Sequence, residues 1–182
     1  MLPSTPDIRP EAPEDLHAIR SLLLAAFPSD AEAAVVDDLR SANALPVSLV
    51  AFDSDQTVGH IGFSPVTLRP QPHNPCMVLG LAPLCVAPDA QRRGIGSALV
   101  AAGLRACAGI RCDAVVVLGD PVFYRRFGFR PAAAQGLRCL FDAPQEAFMV
   151  WQAPWGALPI HEATVHFHAA FNRFLGSGNL GH

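Results

Sequence analysis

Apolar residues recur at three- and four-residue spacing between Glu14 and Phe27, where Leu16, Ile19, Leu23, Ala26 and Phe27 form one stripe. That period predicts a helix, and Pro28 ends it. Ser29-Asp30-Ala31-Glu32 then has the order of a capping box, with the serine side chain accepting from the third amide and the glutamate reaching back. A second helix is expected from there to about Arg40. Asp7-Ile8-Arg9 reads as a short first strand. Val47 to Phe52 and Thr57 to Phe63 are β-rich runs on either side of the polar Asp53-Ser54-Asp55-Gln56, which predicts an antiparallel hairpin. A proline-rich loop, Pro70 to Pro75, leads into an apolar strand from Cys76 to Ala87. Beyond it, Ile95, Leu99, Ala102 and Ala106 mark one helical face. Asp113 to Leu118 is the β-branched run of a strand covered on both faces. Asp120-Pro121 sets an N-cap residue before the residue most at home at the first helical position, so Val122 to Phe127 is expected to be a short helix closed by Gly128. Phe129 to Pro131, Leu137 to Phe141 and Ala147 to Trp151 supply further strands, Thr164 to Phe167 alternates like an edge strand, and Gly176 to Asn179 has the composition of a disordered tail.

The candidate chemistry begins between the central strand and its helix, at Gln91-Arg92-Arg93-Gly94-Ile95-Gly96. A helix opening there points unpaired N–H groups and the positive end of its dipole forward, and Gly94 and Gly96 let an oxyanion approach the backbone. Two glycines also suffice for a plain turn, so the motif alone leaves phosphate binding and simple chain reversal both open.

Charge favours an anion. Residues 1 to 55 hold ten acidic side chains against Arg9, Arg20 and Arg40, whereas residues 56 to 131 hold eight arginines against Asp89, Asp113 and Asp120. The glycine turn therefore lies in the positive half. The arginines neither alternate with aromatics nor form a stripe, which argues against nucleic acid. The chain has no lysine, and this excludes a Schiff-base lysine and a Walker-type phosphate loop. A length of 182 residues suits one domain. No apolar run approaches a membrane span and the N-terminus lacks a signal-peptide pattern, so a cytoplasmic location is expected. The five cysteines show no zinc spacing and read as reduced core residues, and His161, His166 and His168 read as strand residues; no metal is expected.

The order strand, two helices, three strands, glycine turn and helix, strand, short helix, last strands resembles the GNAT superfamily of acyl-CoA-dependent N-acyltransferases. Two signatures carry the resemblance: Leu84-Cys85-Val86-Ala87-Pro88 followed by Gln91 to Gly96, matching the family's Q/R-x-x-G-x-G/A, and Tyr124-Arg125-Arg126-Phe127-Gly128-Phe129, matching its Tyr-x-x-x-Gly-Phe. The stretch Val116 to Pro121 through Phe129 is also similar to the small bacterial YhbS-type group. The resemblance implies an α/β GNAT fold, a mixed and largely antiparallel central sheet flanked by helices and splayed around the acyl-CoA site, forming a single domain over 1–182. The matching core is about 7–151, with 152–182 as a C-terminal extension.

It further implies a reaction. Acetyl-CoA or another short acyl-CoA would be the co-substrate, with its pyrophosphate on the amides of Gln91, Arg92, Arg93, Gly94, Ile95, Gly96 and Ser97, its pantetheine arm along Leu84, Cys85 and Val86, and Asp120 also near that arm. Arg125 and Arg126 are further candidates for the phosphates. Tyr124 would protonate the departing thiolate as general acid after direct attack by a primary amine of a small molecule or a protein. The strand before the turn has no acidic residue, so the general base has no obvious bearer; His60, in a strand expected to border the cleft and with a ring that ordinarily titrates near neutrality, is the candidate. Phe27 to Ser29, Pro70 to Pro75 and the segment after Trp151 are the loops expected to shape the acceptor pocket. Family members often form homodimers. The competing readings are a non-catalytic acyl-CoA-binding or sensing module and a nucleotide-binding module built on the same turn.

Overall fold

The computed structural model of the chain describes residues 6–156, 158 and 162–175. In chain order the elements are β1 (Asp7–Pro10), a 3-10 turn (Pro13–Asp15), α1 (Leu16–Ala26), α2 (Ala31–Ser41), β2 (Val47–Asp53), β3 (Gln56–Pro65), β4 (Thr67–Arg69), β5 (Val78–Val86), α3 (Ile95–Gly109), β6 (Ala114–Leu118), α4 (Pro121–Tyr124), β7 (Arg130–Pro131), β8 (Leu137–Cys139), β9 (Phe148–Gln152) and β10 (Ala163–His166). They group into two compact units, Met1–Phe63 with Ala82–Ala106 and Ser64–Leu81 with Cys107–His182. The fold is mixed α/β with mostly antiparallel strand pairing.

In the first unit β2 lies between β1 and β3, antiparallel to both. The hairpin register places Val50 opposite His60 and Asp53 opposite Gln56, with a bulge between Ala51 and Phe52. The turn is tighter than the four polar residues suggest: Asp53 and Gln56 are paired strand residues, and Ser54, at φ +56°, takes the left-handed conformation. Ile19, Leu22 and Leu23 of α1 and Ala33 and Val36 of α2 pack around Val50 and Cys85. Each such side chain, fully buried, contributes about 1.5–3 kcal/mol relative to exposure. Alternation along β3 sends Gly59 to the other face, where Leu99 of α3 approaches so closely that a Cβ on residue 59 would lie 2.8 Å from its Cδ1.

In the second unit Val78 to Gly80 of β5 run parallel to Ala114 to Val116 of β6, which is antiparallel to β9, and β9 to β7. A separate three-stranded sheet has the order β4-β10-β8. Thr164 to His166 were expected on an edge; they form the middle strand, antiparallel to β4 and parallel to β8. Its inward residues Ala163 and Val165 join Leu68, Leu137, Val116 and Val150 in one apolar cluster, and this burial is what recruits a short segment far along the chain. The tail residues 176–182 and His161 lie outside the described residues.

The second helix starts where expected but not by the expected cap. Ser29 Oγ accepts from the Ala31 N–H at 3.3 Å, and its hydroxyl donates to Glu32 Oε2 at 3.4 Å. Asp30 is the N-cap residue and makes no side-chain cap bond. Glu32 therefore reaches the serine side chain rather than its backbone N–H, so the reciprocal box is not formed.

Candidate active site

The glycine turn has the geometry of an anion cradle. Arg92 at φ +58° and Gly94 at φ +86° are both left-handed, which swings successive amides toward one side before α3 begins at Ile95. A Cβ built on Gly94 would meet nothing within 4 Å, so open space lies in front of the turn. The helix leaves its first N–H groups without intrahelical acceptors. The flanking side chains are partly committed: Gln91 Nε2 donates to the Val86 carbonyl at 3.3 Å, and Arg93 Nη2 donates to Asp53 Oδ2 at 2.6 Å. Upstream on β5, Pro83 has no N–H to offer a neighbouring strand, while beyond it the Ala87 N–H donates to Val58 O at 2.9 Å.

Tyr124 closes α4 in the second unit. Asp120 caps that helix through a 2.8 Å bond from the Val122 N–H, Pro121 opens it, and a 3-10 turn, Arg125–Phe127, carries it to Gly128, as the pattern indicated. The tyrosine is 7 % exposed and its ring is held edge-on between Phe123, 5.0 Å away, and Phe129, 5.4 Å away. Its hydroxyl has no hydrogen-bond partner among the described residues and is not among the enclosed unpartnered atoms, so the ring is fixed while the O–H stays available. Burial, with a further contribution from Asp120, raises the phenol pKa above its ordinary value of 10, so the group is protonated at neutral pH. Arg126, a phosphate candidate from the sequence, lies over the Phe123 ring at 4.7 Å and donates to the Phe123 carbonyl at 3.2 Å.

His60 is where the structure changes the picture. Its ring is 0 % exposed and enclosed away from solvent, and burial lowers its pKa from 6.5, favouring the neutral form in the fold. The Nε2 atom lies 2.9 Å from Ser48 Oγ and 3.5 Å from Glu11 Oε2. Ser48 donates to Glu11 Oε2 at 2.5 Å, and Arg40 donates to both Glu11 oxygens at 2.7 and 3.0 Å. Because the serine proton is directed at the carboxylate, the network assigns the ring hydrogen to Nε2. Nδ1 is then an enclosed acceptor without a partner among the described residues. Burial opposes ionisation of Glu11, but the bonds from His60, Arg40 and Ser48 outweigh it and hold the carboxyl well below its ordinary range. The cluster ties β1's end, α2, β2 and β3 together, and a structural role suffices for it.

Cys85, on the strand assigned to the pantetheine arm, is 5 % exposed, and burial pushes its thiol up to about 12. Cys107 and Cys112 are also buried, Cys76 and Cys139 are half-buried, and all five are free thiols. Among the described residues no group of three His, Cys, Asp or Glu is placed to hold a metal, and no helix is long and apolar enough to cross a membrane. A concavity of about 450 Å³ in the second unit is lined by Leu137, Phe141, Phe148, Arg138 and Glu162 among others, and none of the catalytic or cofactor-binding residues expected from sequence borders it.

Two features escaped the sequence reading. Gly119 packs against Tyr124, and a Cβ there would lie 2.6 Å from the ring's Cε2. Glu32 is buried, and the signal was its position on the stripe Glu32, Val35, Val36, Leu39, where a charge interrupts an apolar face.

The chain matches the family described as Acetyltransferase (GNAT) domain over residues 46–131. It is 40% identical over 168 residues to the uncharacterized N-acetyltransferase YhbS of Escherichia coli (strain K12), covering 92% of this chain and 99% of that protein. Among solved structures it is similar to the E. coli YhbS crystal structure in complex with CoA, with a TM-score of 0.85, 38% identity and 93% of each chain covered. It is also similar to a GNAT family acetyltransferase from Brucella melitensis in complex with acetyl-CoA, with a TM-score of 0.74 and 34% identity over 92% of this chain and 98% of that one.

Proposed function

The chain belongs to the GNAT family of N-acetyltransferases, and from that premise we propose that it moves an acetyl or other short acyl group from acyl-CoA to a primary amine by direct attack. The observation that carries the reading is the turn at Arg92 to Gly96, whose two left-handed residues and unobstructed front suit a pyrophosphate at the start of α3. The relatives with bound CoA or acetyl-CoA supply the ligand class. Leu84 to Val86 take the pantetheine arm in strand-like fashion, where Pro83 withholds a backbone donor from the sheet.

Acyl-CoA supplies an activated thioester. The chain's part is to orient it and to supply a proton when the thiolate leaves. Tyr124 is the donor: its hydroxyl is unpartnered among the described residues, its ring is clamped by Phe123 and Phe129, and its raised pKa means that it carries its proton near neutral pH, when the C–S bond breaks. Cys85 takes no covalent part, because a thiol raised to about 12 supplies almost no thiolate near neutral pH. This favours direct attack over an acyl-cysteine intermediate. His60 is assigned a positioning role in the fold, and the proton lost by the amine passes to water.

Thermal-shift titration with coenzyme A and acyl-CoAs, followed by a thiol-release assay on an amine panel, tests the reading. Stabilisation by coenzyme A species and amine-dependent thiol release are expected. Absence of any shift overturns the acyl-CoA assignment, a shift without thiol release with any amine identifies a sensing module, and a shift with ATP alone identifies a nucleotide-binding one.

A further inference from the structure

The C-terminal end of α3 brings two thiols together. The helix stops at Gly109, Arg111 turns left-handed at φ +61°, and two bonds of 3.0 Å close the end, from the Cys112 N–H to the Cys107 carbonyl and from the Arg111 N–H to the Ala108 carbonyl. This crossed pair is a Schellman motif, in which the residue after the left-handed one packs on the residue five positions before it. The packing partners here are Cys112 and Cys107, both fully buried free thiols.

The backbone bond limits their separation. A carbonyl oxygen stands about 2.4 Å from its own Cα and an amide nitrogen about 1.5 Å from its own, so the 3.0 Å bond keeps the two Cα atoms within about 6.9 Å, short of the distance at which a disulfide needs backbone movement. The side chains also meet. The Cys107 thiol donates to the Cys112 sulfur, and the Cys112 thiol donates onward to the Ala114 carbonyl at 3.0 Å. That contact divides the pair chemically: the Cys107 hydrogen bond, aided by the Ala114 and Leu79 amides, lowers the Cys112 pKa from 9.0 against the opposition of burial, while Cys107 is raised by the same bond and by burial. Among the other thiols, half-buried Cys76 lies near enough to Cys112 to feel its charge.

We propose that Cys107 and Cys112 form an oxidisable dithiol that a peroxide converts to an intramolecular disulfide. The Cys112 thiolate attacks one peroxide oxygen; an S–O bond forms, the O–O bond breaks, and the departing hydroxide takes up the proton that Cys112 gave up. The Cys107 sulfur then attacks the Cys112 sulfenic acid, the S–S bond forms, the S–O bond breaks, and a second water leaves with the Cys107 proton. The two sulfurs together lose two electrons and one peroxide becomes two waters. Gly109, Ile110 and Arg111, which separate the thiols, are exposed, so opening of this one turn admits the oxidant without unfolding the sheet beneath it. By capturing the sulfenic acid, Cys107 spares Cys112 from irreversible oxidation.

Peptide mapping of the intact reduced protein after a molar excess of hydrogen peroxide tests this. Trypsin cuts after Arg105, Arg111 and Arg125, so the disulfide is expected to join residues 106–111 to residues 112–125, two hydrogens lighter than the separate peptides and released by dithiothreitol. Thiols titrated in the unfolded protein should fall from five to three. Cys107→Ala should form no such link and should accumulate sulfinic acid on Cys112. Recovery of Cys107 and Cys112 as free thiols after peroxide overturns the proposal, and so does a link from Cys112 to Cys76 instead. If Cys107→Ala does not fold, the wild-type peptide map decides alone.

Discussion

The Tyr124 ring occupies the space that a side chain at residue 119 would fill, with Cε2 2.6 Å and Cδ2 3.3 Å from where a Cβ on Gly119 would stand. A small residue just before the helix N-cap therefore sets the position of the proposed proton donor.

Gly119→Ala is expected to displace the ring and lower kcat by about 10- to 100-fold, since small misplacements of a reacting group cost that much. Tyr124→Phe should lower it comparably or more, within the roughly 10²- to 10⁴-fold range of general acid catalysis, while coenzyme A affinity changes little. Steady-state kinetics and coenzyme A titration check both. Tyr124 is the sole tyrosine, so its ionisation is also readable by absorbance without interference; it should ionise above the ordinary phenol value in the native protein and closer to that value after unfolding. Turnover of Tyr124→Phe equal to wild type would remove the assignment.

Gly94→Val tests the turn. No neighbour obstructs the new side chain, but φ +86° is a conformation L residues avoid, costing about 1–2 kcal/mol. A modest fall in melting temperature, with the far-UV spectrum retained, should accompany a loss of coenzyme A affinity of about tenfold or more. Calorimetric titration that finds wild-type affinity would place the phosphates elsewhere.

Cys85→Ala separates direct attack from a covalent route. With the thiol held near 12, the variant should retain turnover within about threefold and lose stability by about 1 kcal/mol from the small void. Trapping an acyl group on wild-type protein by mass spectrometry, with turnover abolished in Cys85→Ala, would establish the opposite.

Acid stability reports the buried network. His60 has a lowered folded pKa, so below about pH 6.5 the unfolded chain binds a proton that the folded chain refuses, and stability falls as pH falls. Glu11, also lowered, adds a second loss of the same sign below about pH 4.5, complete only once its folded pKa is passed. Melting temperature should therefore decline from pH 7 downward, and His60→Gln should flatten the part between about pH 6.5 and 4.5. An unchanged slope in that variant would show that the ring does not govern the decline.

Much of this was legible in the residues. The β2–β3 hairpin, the Asp120-Pro121 start of α4 and the glycine turn each follow from local chemistry that works within a few residues. What was not legible depends on distant partners. Three-residue strands such as β4 and β8 are too short to show a period, and β10 takes the middle of its sheet because Leu68 and Leu137 arrive on either side. His60 looked like a cleft residue because β3 was expected at the cleft; its ring instead meets Ser48 of the neighbouring β2 and Glu11, which Arg40 of α2 holds in place. Glu32 was read as a cap residue, and its burial comes from its place on the apolar stripe with Val35, Val36 and Leu39.

The central position of β10 bears on where the chain can be cut. The two family signatures end by Phe129 and the matching order of elements by Trp151, so a fragment trimmed to the recognisable motif would appear self-sufficient on paper. Such a fragment would lack Ala163 and Val165, split β4 from β8, and leave Leu68 and Leu137 facing water with two unpaired strand edges beside them. The residues that carry the two signatures and those that close the second sheet over its core are thus different sets, and the second extends at least to Val165.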